Sequence, residues 1–103
     1  AALSSFPYTP EYSMQALRHF YEDLGDKIWG TYGFVDAFSE SEDWYAKNHL
    51  AIDQGPAVVM IENHRSGLLW QLFMGCPEIK PALKNMGFET PPAGRPAAEP
   101  PRP

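Results

Sequence analysis

An all-α fold is predicted for this chain from three stretches, each with its own start and stop signals. Thr9-Pro10-Glu11 opens a segment whose apolar residues recur every three to four positions. Ala57 to Met74 is a long apolar run behind Pro56, and Pro77-Glu78 opens a short last segment that Gly87 closes. The rest is organised around Ile52-Asp53-Gln54-Gly55-Pro56, where a carboxylate, a turn and a helix start coincide.

Taken in order, Ala1 to Tyr8 read as an extended lead-in. At Thr9-Pro10-Glu11 the Thr hydroxyl can cap, Pro suits the first helical position and Glu complements the helix dipole. Tyr12, Ala16, Leu17, Phe20, Tyr21 and Leu24 then share a face opposite Gln15, Arg18 and Glu22, and Gly25 offers a left-handed stop. The expectation is an amphipathic helix with one buried face. Between Asp26 and Gly55, Gly30, Gly33 and the run Ser39-Glu40-Ser41-Glu42-Asp43 break any sustained period, so a structured loop is expected. Loops of that length in compact domains tend to carry function, and this one holds Trp29, Tyr32, Phe34, Phe38, Trp44 and Tyr45. Trp44-Tyr45 is expected to open a short helical turn capped by Ser41 or Asp43.

The helix behind Pro56 is apolar almost all round and must be covered on every side. Glu62-Asn63-His64-Arg65 in its middle excludes a membrane span, because ionisable groups at bilayer depth cost about 2.5 kcal/mol or more each. A one-faced first helix and a short last one cannot cover it. Residues 1–88 therefore read as a helical piece that packs against further helices, in the same chain or another. Residues 89–103 hold six prolines among Ala, Gly, Glu and Arg and are expected to form an extended or disordered tail.

Composition narrows the function. The 103 residues suffice for one small domain, with 44% apolar and 20% charged residues. A net charge of -5 and a pI near 5.0 exclude nucleic acid and anionic membrane surfaces as natural partners. Cys76 stands alone, so no internal disulfide forms. His19, His49 and His64 show no ligand spacing with one another or with Cys76, and neither a metal nor another cofactor is expected. A phosphate loop and a nucleophile elbow are both absent. The chain starts Ala1-Ala2-Leu3 without an initiator Met or a readable targeting signal, and is expected to be a processed protein or a piece of a longer one.

Three carboxylates stand out. Asp53 lies at a helix start, where free N–H groups and the dipole favour a charged carboxylate; it reads as a general base or as a plain N-cap, with Gln54 binding a hydroxyl or finishing the turn. Asp36 lies between Phe34 and Phe38, an acid presented within an aromatic surface, as sugar sites present theirs, or a solvated loop residue. Trp44 and Tyr45 serve either as stacking platforms or as core plugs. Glu62, inside an apolar helix, suits a general acid if unpaired, while Arg65 three residues on offers a structural ion pair.

Four ordered blocks then carry a family resemblance: Ser4 to Glu11 (SSFPYTPE), Tyr32 to Phe38 (YGFVDAF), Ile52 to Pro56 (IDQGP) and Met60 to Trp70 (MIENHRSGLLW). Over residues 1 to 88 the chain resembles the C-terminal part of the bacterial glucoamylase-like family, which includes endo-β-1,2-glucanases. The resemblance implies the C-terminal portion of an (α/α)6 barrel (α/α toroid), incomplete in this chain, whose remaining helices would cover the apolar helix. It implies inverting hydrolysis of a β-glucan by two carboxyl groups about 6.5 to 9.5 Å apart. It places Asp53 and Asp36 in blocks at the cleft as catalytic candidates, Phe34, Trp44 and Gln54 along the sugar subsites, and Glu62 and Arg65 inside the barrel. The chain departs from the family pattern at Ser39, where Asn often follows the Asp-Ala-Phe block, and at His64, where Tyr is usual. A periplasmic or extracellular location is implied by the family alone. The alternatives are a transglycosylating domain of a cyclic β-glucan synthesis enzyme, and a non-catalytic helical module that binds sugar or protein.

Overall fold

The computed structural model describes residues 1–89; nearly all of the expected proline-rich tail lies outside the described residues. The chain divides into two compact units, Ala1–Gln71 and the residues from Leu72 on. In the first unit a 3₁₀ turn, Leu3–Ser5, leads to α1, Pro10–Arg18. Helix α1 runs on into a π turn, His19–Asp23, and then α2, Gly25–Ile28. Strands β1 (Trp29–Gly30) and β2 (Gly33–Phe34) form one antiparallel ladder, β3 (Phe38–Ser39) and β4 (Trp44–Tyr45) another. Helix α3 covers Ala51–Ser66 and α4 covers Leu68–Met74. In the second unit α5 covers Ile79–Asn85.

The structure is helical as expected, with several local corrections. The segment expected as a structured loop contains the two ladders, and Trp44-Tyr45 is a strand where a helical turn was expected. Its tight turn rests on Asp43 in a left-handed conformation, φ 46°, which an Asp tolerates better than most residues. Thr9 does not cap α1: its hydroxyl donates to the Ser5 carbonyl at 3.2 Å and meets Ser13 Oγ, also at 3.2 Å. Gly25 is no stop either, since α2 begins there and the residue has no positive φ.

A further correction concerns the central helix. It starts at Ala51 with Pro56 inside it, and it breaks at Gly67, whose φ of 71° ends α3. Buried Asn63 makes the break tolerable, because its Oδ1 accepts from Leu69 N at 2.9 Å and Trp70 N at 3.1 Å. Two of the N–H groups that open α4 are thereby satisfied from the preceding helix. At the far end the expected stop is present: Gly87 has φ 82°, Phe88 N donates to Leu83 O at 3.0 Å and Gly87 N to Lys84 O at 3.0 Å, the paired bonds of a Schellman ending.

The buried apolar residues of the first unit are Phe6, Leu24, Ile28 and Ala46. The 3₁₀ turn packs on α3, and Phe6 meets the His64 ring at 5.5 Å between centroids. Ser13, also buried, ties α1 to the lead-in through a 2.9 Å bond to the Ala2 carbonyl. The side of α3 and α4 that the sequence marks as needing cover is open, with Ile52 77% and Val58 68% exposed.

Candidate active site

A cleft of about 220 Å³ lies in the first unit, and its wall includes Ala2, Phe34, Asp36, Phe38, Asp53 and Gln54. Two separate pieces of chain bring the acids together. Asp53 sits in the first turn of α3, where Asp53 N and Gln54 N both bond to the Leu50 carbonyl, so the N-cap is Leu50 and not Asp53. Asp36 follows β2 in an extended segment pinned on both sides: Val35 N donates to Ile28 O at 2.9 Å, Asp36 N to Asn48 O at 3.0 Å, and Ala46 N to Ala37 O at 3.0 Å.

The two acids line the same cleft. The Asp36 pKa is raised, first by its hydrogen bond to Asp53, then by desolvation and by repulsion from the Asp53 charge. With both groups ionised no hydrogen lies between them, and Asp53 Oδ2 is buried without a partner. A proton on Asp36 removes the repulsion between the two charges, which is why Asp36 holds its proton to higher pH.

Aromatic side chains floor this region. The Phe20 ring meets Phe34 at 5.9 Å and Phe38 at 5.4 Å, both edge-on, and Trp29 meets Phe34 at 4.8 Å. Phe34 is thus half core plug and half cleft wall. The π turn contributes by aiming two successive side chains of α1's continuation at the ladders. Phe20 enters the aromatic cluster, while His19 holds Asp23 through Nδ1 at 2.8 Å and Glu40 through Nε2 at 3.0 Å. The two acids, Glu40 foremost, raise the His19 pKa.

Of the expected site residues, Asp36, Asp53, Phe34 and Gln54 meet at this cleft, and the other three do not line it. Trp44 is 53% exposed on β4; side chains alternate along a strand, and its neighbour Tyr45 takes the inward position, stacked on Phe38 at 6.4 Å. Glu62 and Arg65 sit nine residues and more beyond Asp53 on α3, which is roughly 13 Å or more along a helix axis. There Arg65 Nε donates to Glu62 Oε2 at 3.0 Å and Ser66 Oγ to Glu62 Oε1 at 2.7 Å. Arg65, then Ser66, hold the Glu62 pKa below the usual carboxylate value, which removes the reading of Glu62 as a general acid with a raised pKa. The ion-pair alternative describes it. Among the described residues no group of three or more His, Cys, Asp and Glu could hold a metal ion.

Two positions beside the acids are not singled out by the sequence. His49 shows no metal-ligand spacing, yet its Nδ1 donates to the Phe34 carbonyl at 3.2 Å, two residues from Asp36. Gly33 looked only like a period breaker; it has φ 93°, and a Cβ there would lie 2.7 Å from Gln54 Oε1. The pairing of Gly30 and Gly33 around a two-residue turn was the one available signal.

The cleft thus combines two carboxyl groups with aromatic side chains on a helical scaffold. The chain belongs to the Glycoamylase family, described as "Putative glucoamylase", which matches residues 1–77. It is 46% identical over 85 residues to the exo beta-1,2-glucooligosaccharide sophorohydrolase (non-reducing end) of Parabacteroides distasonis, a match covering 82% of this chain and 12% of that protein. It also superposes on the endo-beta-1,2-glucanase of Chitinophaga pinensis, solved with sophorotriose and glucose, with a TM-score of 0.84 and 65% identity over 88% of this chain and 22% of that one. The structure of a beta-1,2-glucanase from P. distasonis matches with a TM-score of 0.80 at 46% identity, over 82% of this chain and 12% of that one. The chain therefore spans between about an eighth and a fifth of the relatives named here.

Proposed function

We propose that this chain is the C-terminal portion of an (α/α)6 barrel glycoside hydrolase that cleaves β-1,2-glucan with inversion, and that it is inactive without the rest of the barrel. The observation that carries this reading is the meeting of Asp36 and Asp53 in one cleft, with a buried carboxylate oxygen left unpaired. Residues 1–88 form the family part, and the uncovered sides of α3 and α4 are where the remaining helices pack. The relatives named for exo and endo action on β-1,2-glucan support the substrate class.

The carboxyl geometry refines the mechanism. Inversion needs a general acid on the leaving oxygen and a general base on the attacking water, with room for that water between them, about 6.5 to 9.5 Å. Asp36 and Asp53 line one wall of the same cleft and Asp53 raises the Asp36 pKa, so we read them as one side of the reaction and not as an acid and a base facing each other. They act as one unit that exchanges a single proton with the substrate or the water, and the second carboxyl function comes from a part of the protein beyond these residues. Phe34 and Phe38 offer ring faces to the sugar C–H surfaces at the same wall. A substrate of this size, a polysaccharide, fits a periplasmic or extracellular enzyme.

The test is reducing-sugar release from linear β-1,2-glucan by the complete enzyme. Asp53→Asn is expected to lower kcat by about 10²-fold to 10⁴-fold. Turnover within a few-fold of wild type would refute the assignment.

A further inference from the structure

We infer that His49 and Gln54 are positioning residues that together hold the Phe34 carbonyl and so fix Asp36 against Asp53; the inference rests on the carboxyl-pair reading above. Gln54 was expected to bind sugar, but its Nε2 donates to the Phe34 carbonyl oxygen. His49 Nδ1 donates to the same oxygen at 3.2 Å. A carbonyl oxygen only accepts, so this ring nitrogen carries its hydrogen in the neutral and the charged imidazole alike.

The arrangement links the two carboxylates by the shortest available path. Gln54 is the residue after Asp53, and Phe34 lies two residues before Asp36. One side-chain hydrogen bond therefore joins the first turn of α3 to the segment that carries Asp36. His49 adds the third support, because Asn48 beside it accepts the Asp36 N–H at 3.0 Å. The two glycines of the β1–β2 ladder leave room for both donors. A Cβ on Gly33 would lie 2.7 Å from Gln54 Oε1, and one on Gly30 would lie 3.1 Å from the His49 ring. Tyr32 meets that ring edge-on at 5.8 Å and steadies its orientation. Nothing in the fold of α3 by itself requires Gln54 to reach the ladder. The contact sets the distance between two groups whose spacing the chemistry depends on.

The experiment uses the complete enzyme with linear β-1,2-glucan and compares Gln54→Met, His49→Leu, His49→Asn and Asp53→Asn. Gln54→Met keeps the length and removes the donor, and His49→Leu removes the ring donor. Each is expected to lower kcat on the order of 10²-fold, the effect of misplacing a reacting group by about 1 Å, while KM stays within about threefold. Both should also move the limb of the pH–rate profile that reports loss of the Asp36 proton to lower pH, because Asp36 moves away from the group that raises its pKa. His49→Asn places an amide N–H near the Nδ1 position and is expected to restore kcat to within about tenfold of wild type. Wild-type kcat in Gln54→Met and His49→Leu, a loss confined to KM, or a His49→Asn variant no better than His49→Leu would each overturn the inference. If Gln54→Met fails to fold, the contrast between His49→Leu and His49→Asn decides. An inactive Asp53→Asn beside fully active Gln54→Met and His49→Leu refutes positioning alone; an active Asp53→Asn refutes the carboxyl-pair reading itself.

Discussion

Replacing Asn63 with Ala should weaken the protein more than any loss of apolar contact at that site would explain. Asn63 is 5% exposed, and its Oδ1 accepts from both Leu69 N and Trp70 N, the groups that open α4 after the break at Gly67. Ala removes two intramolecular hydrogen bonds, each worth about 1 kcal/mol net, and leaves two N–H groups in a partly covered place. The expected loss is about 2 kcal/mol, which is roughly a 30-fold shift towards the unfolded form. Asn63→Asp keeps an acceptor oxygen and adds a charge that suits a helix N-terminus, so it should recover at least half of the loss. The assay is urea unfolding of the complete enzyme followed by Trp fluorescence, with Trp70 beside the cap as a local reporter. An Asn63→Ala midpoint equal to wild type, or Asn63→Asp as weak as Asn63→Ala, would refute the capping role.

Three further outcomes follow from the same geometry. Asp36→Asn should abolish most turnover yet raise the unfolding midpoint at pH 7; a raised folded pKa means the native state is favoured below the ordinary value of 3.8 and loses that advantage as pH rises through the folded value, so removing the charge helps. Equal midpoints from pH 4 to pH 8 would contradict this. His19→Gln should flatten the pH dependence of stability, because the clamp by Glu40 and Asp23 is complete below the ordinary 6.5 and is lost as pH climbs through the raised folded value; unfolding curves between pH 5 and pH 9 measure it. Gly67→Ala should cost about 1 to 2 kcal/mol, the penalty of a left-handed backbone for a residue with a Cβ, read from the same urea curves.

How much of this was legible in the sequence depended on the range of the interactions involved. The start of α1 at Pro10, the Gly87 ending and the Glu62–Arg65 pair are set by residues within one helical turn, and periodicity and spacing exposed them. The start of α3 was misplaced by five residues because Pro56 is the strongest local start signal, whereas the actual start is fixed from outside, by packing of the 3₁₀ turn and by the bond from Gln54 to Phe34. The break at Gly67 was hidden for the same reason: its compensation lies in the Asn63 side chain, four residues back and inside an apparently uninterrupted apolar run. The two ladders were missed because two paired residues per strand are too few to show alternation. Asp36 and Asp53 are each legible as candidates and the resemblance puts both at the cleft, but residue spacing alone does not show that they line one wall, because the contact joins segments that are distant in sequence. The uncovered apolar side of α3, by contrast, was readable from composition alone, because burial is a property of every residue on the helix and not of one contact.

Asp36 and Asp53 are proposed above as one half of an inverting β-1,2-glucan hydrolase site. The most direct test of this proposal is the anomeric form of the first product released from linear β-1,2-glucan by the complete enzyme, followed by NMR, with Asp53→Asn as the control. Wild type is expected to release product of inverted configuration, and Asp53→Asn to release it slower by at least about 10²-fold. Product of retained configuration, or an Asp53→Asn enzyme as fast as wild type, would contradict the proposal.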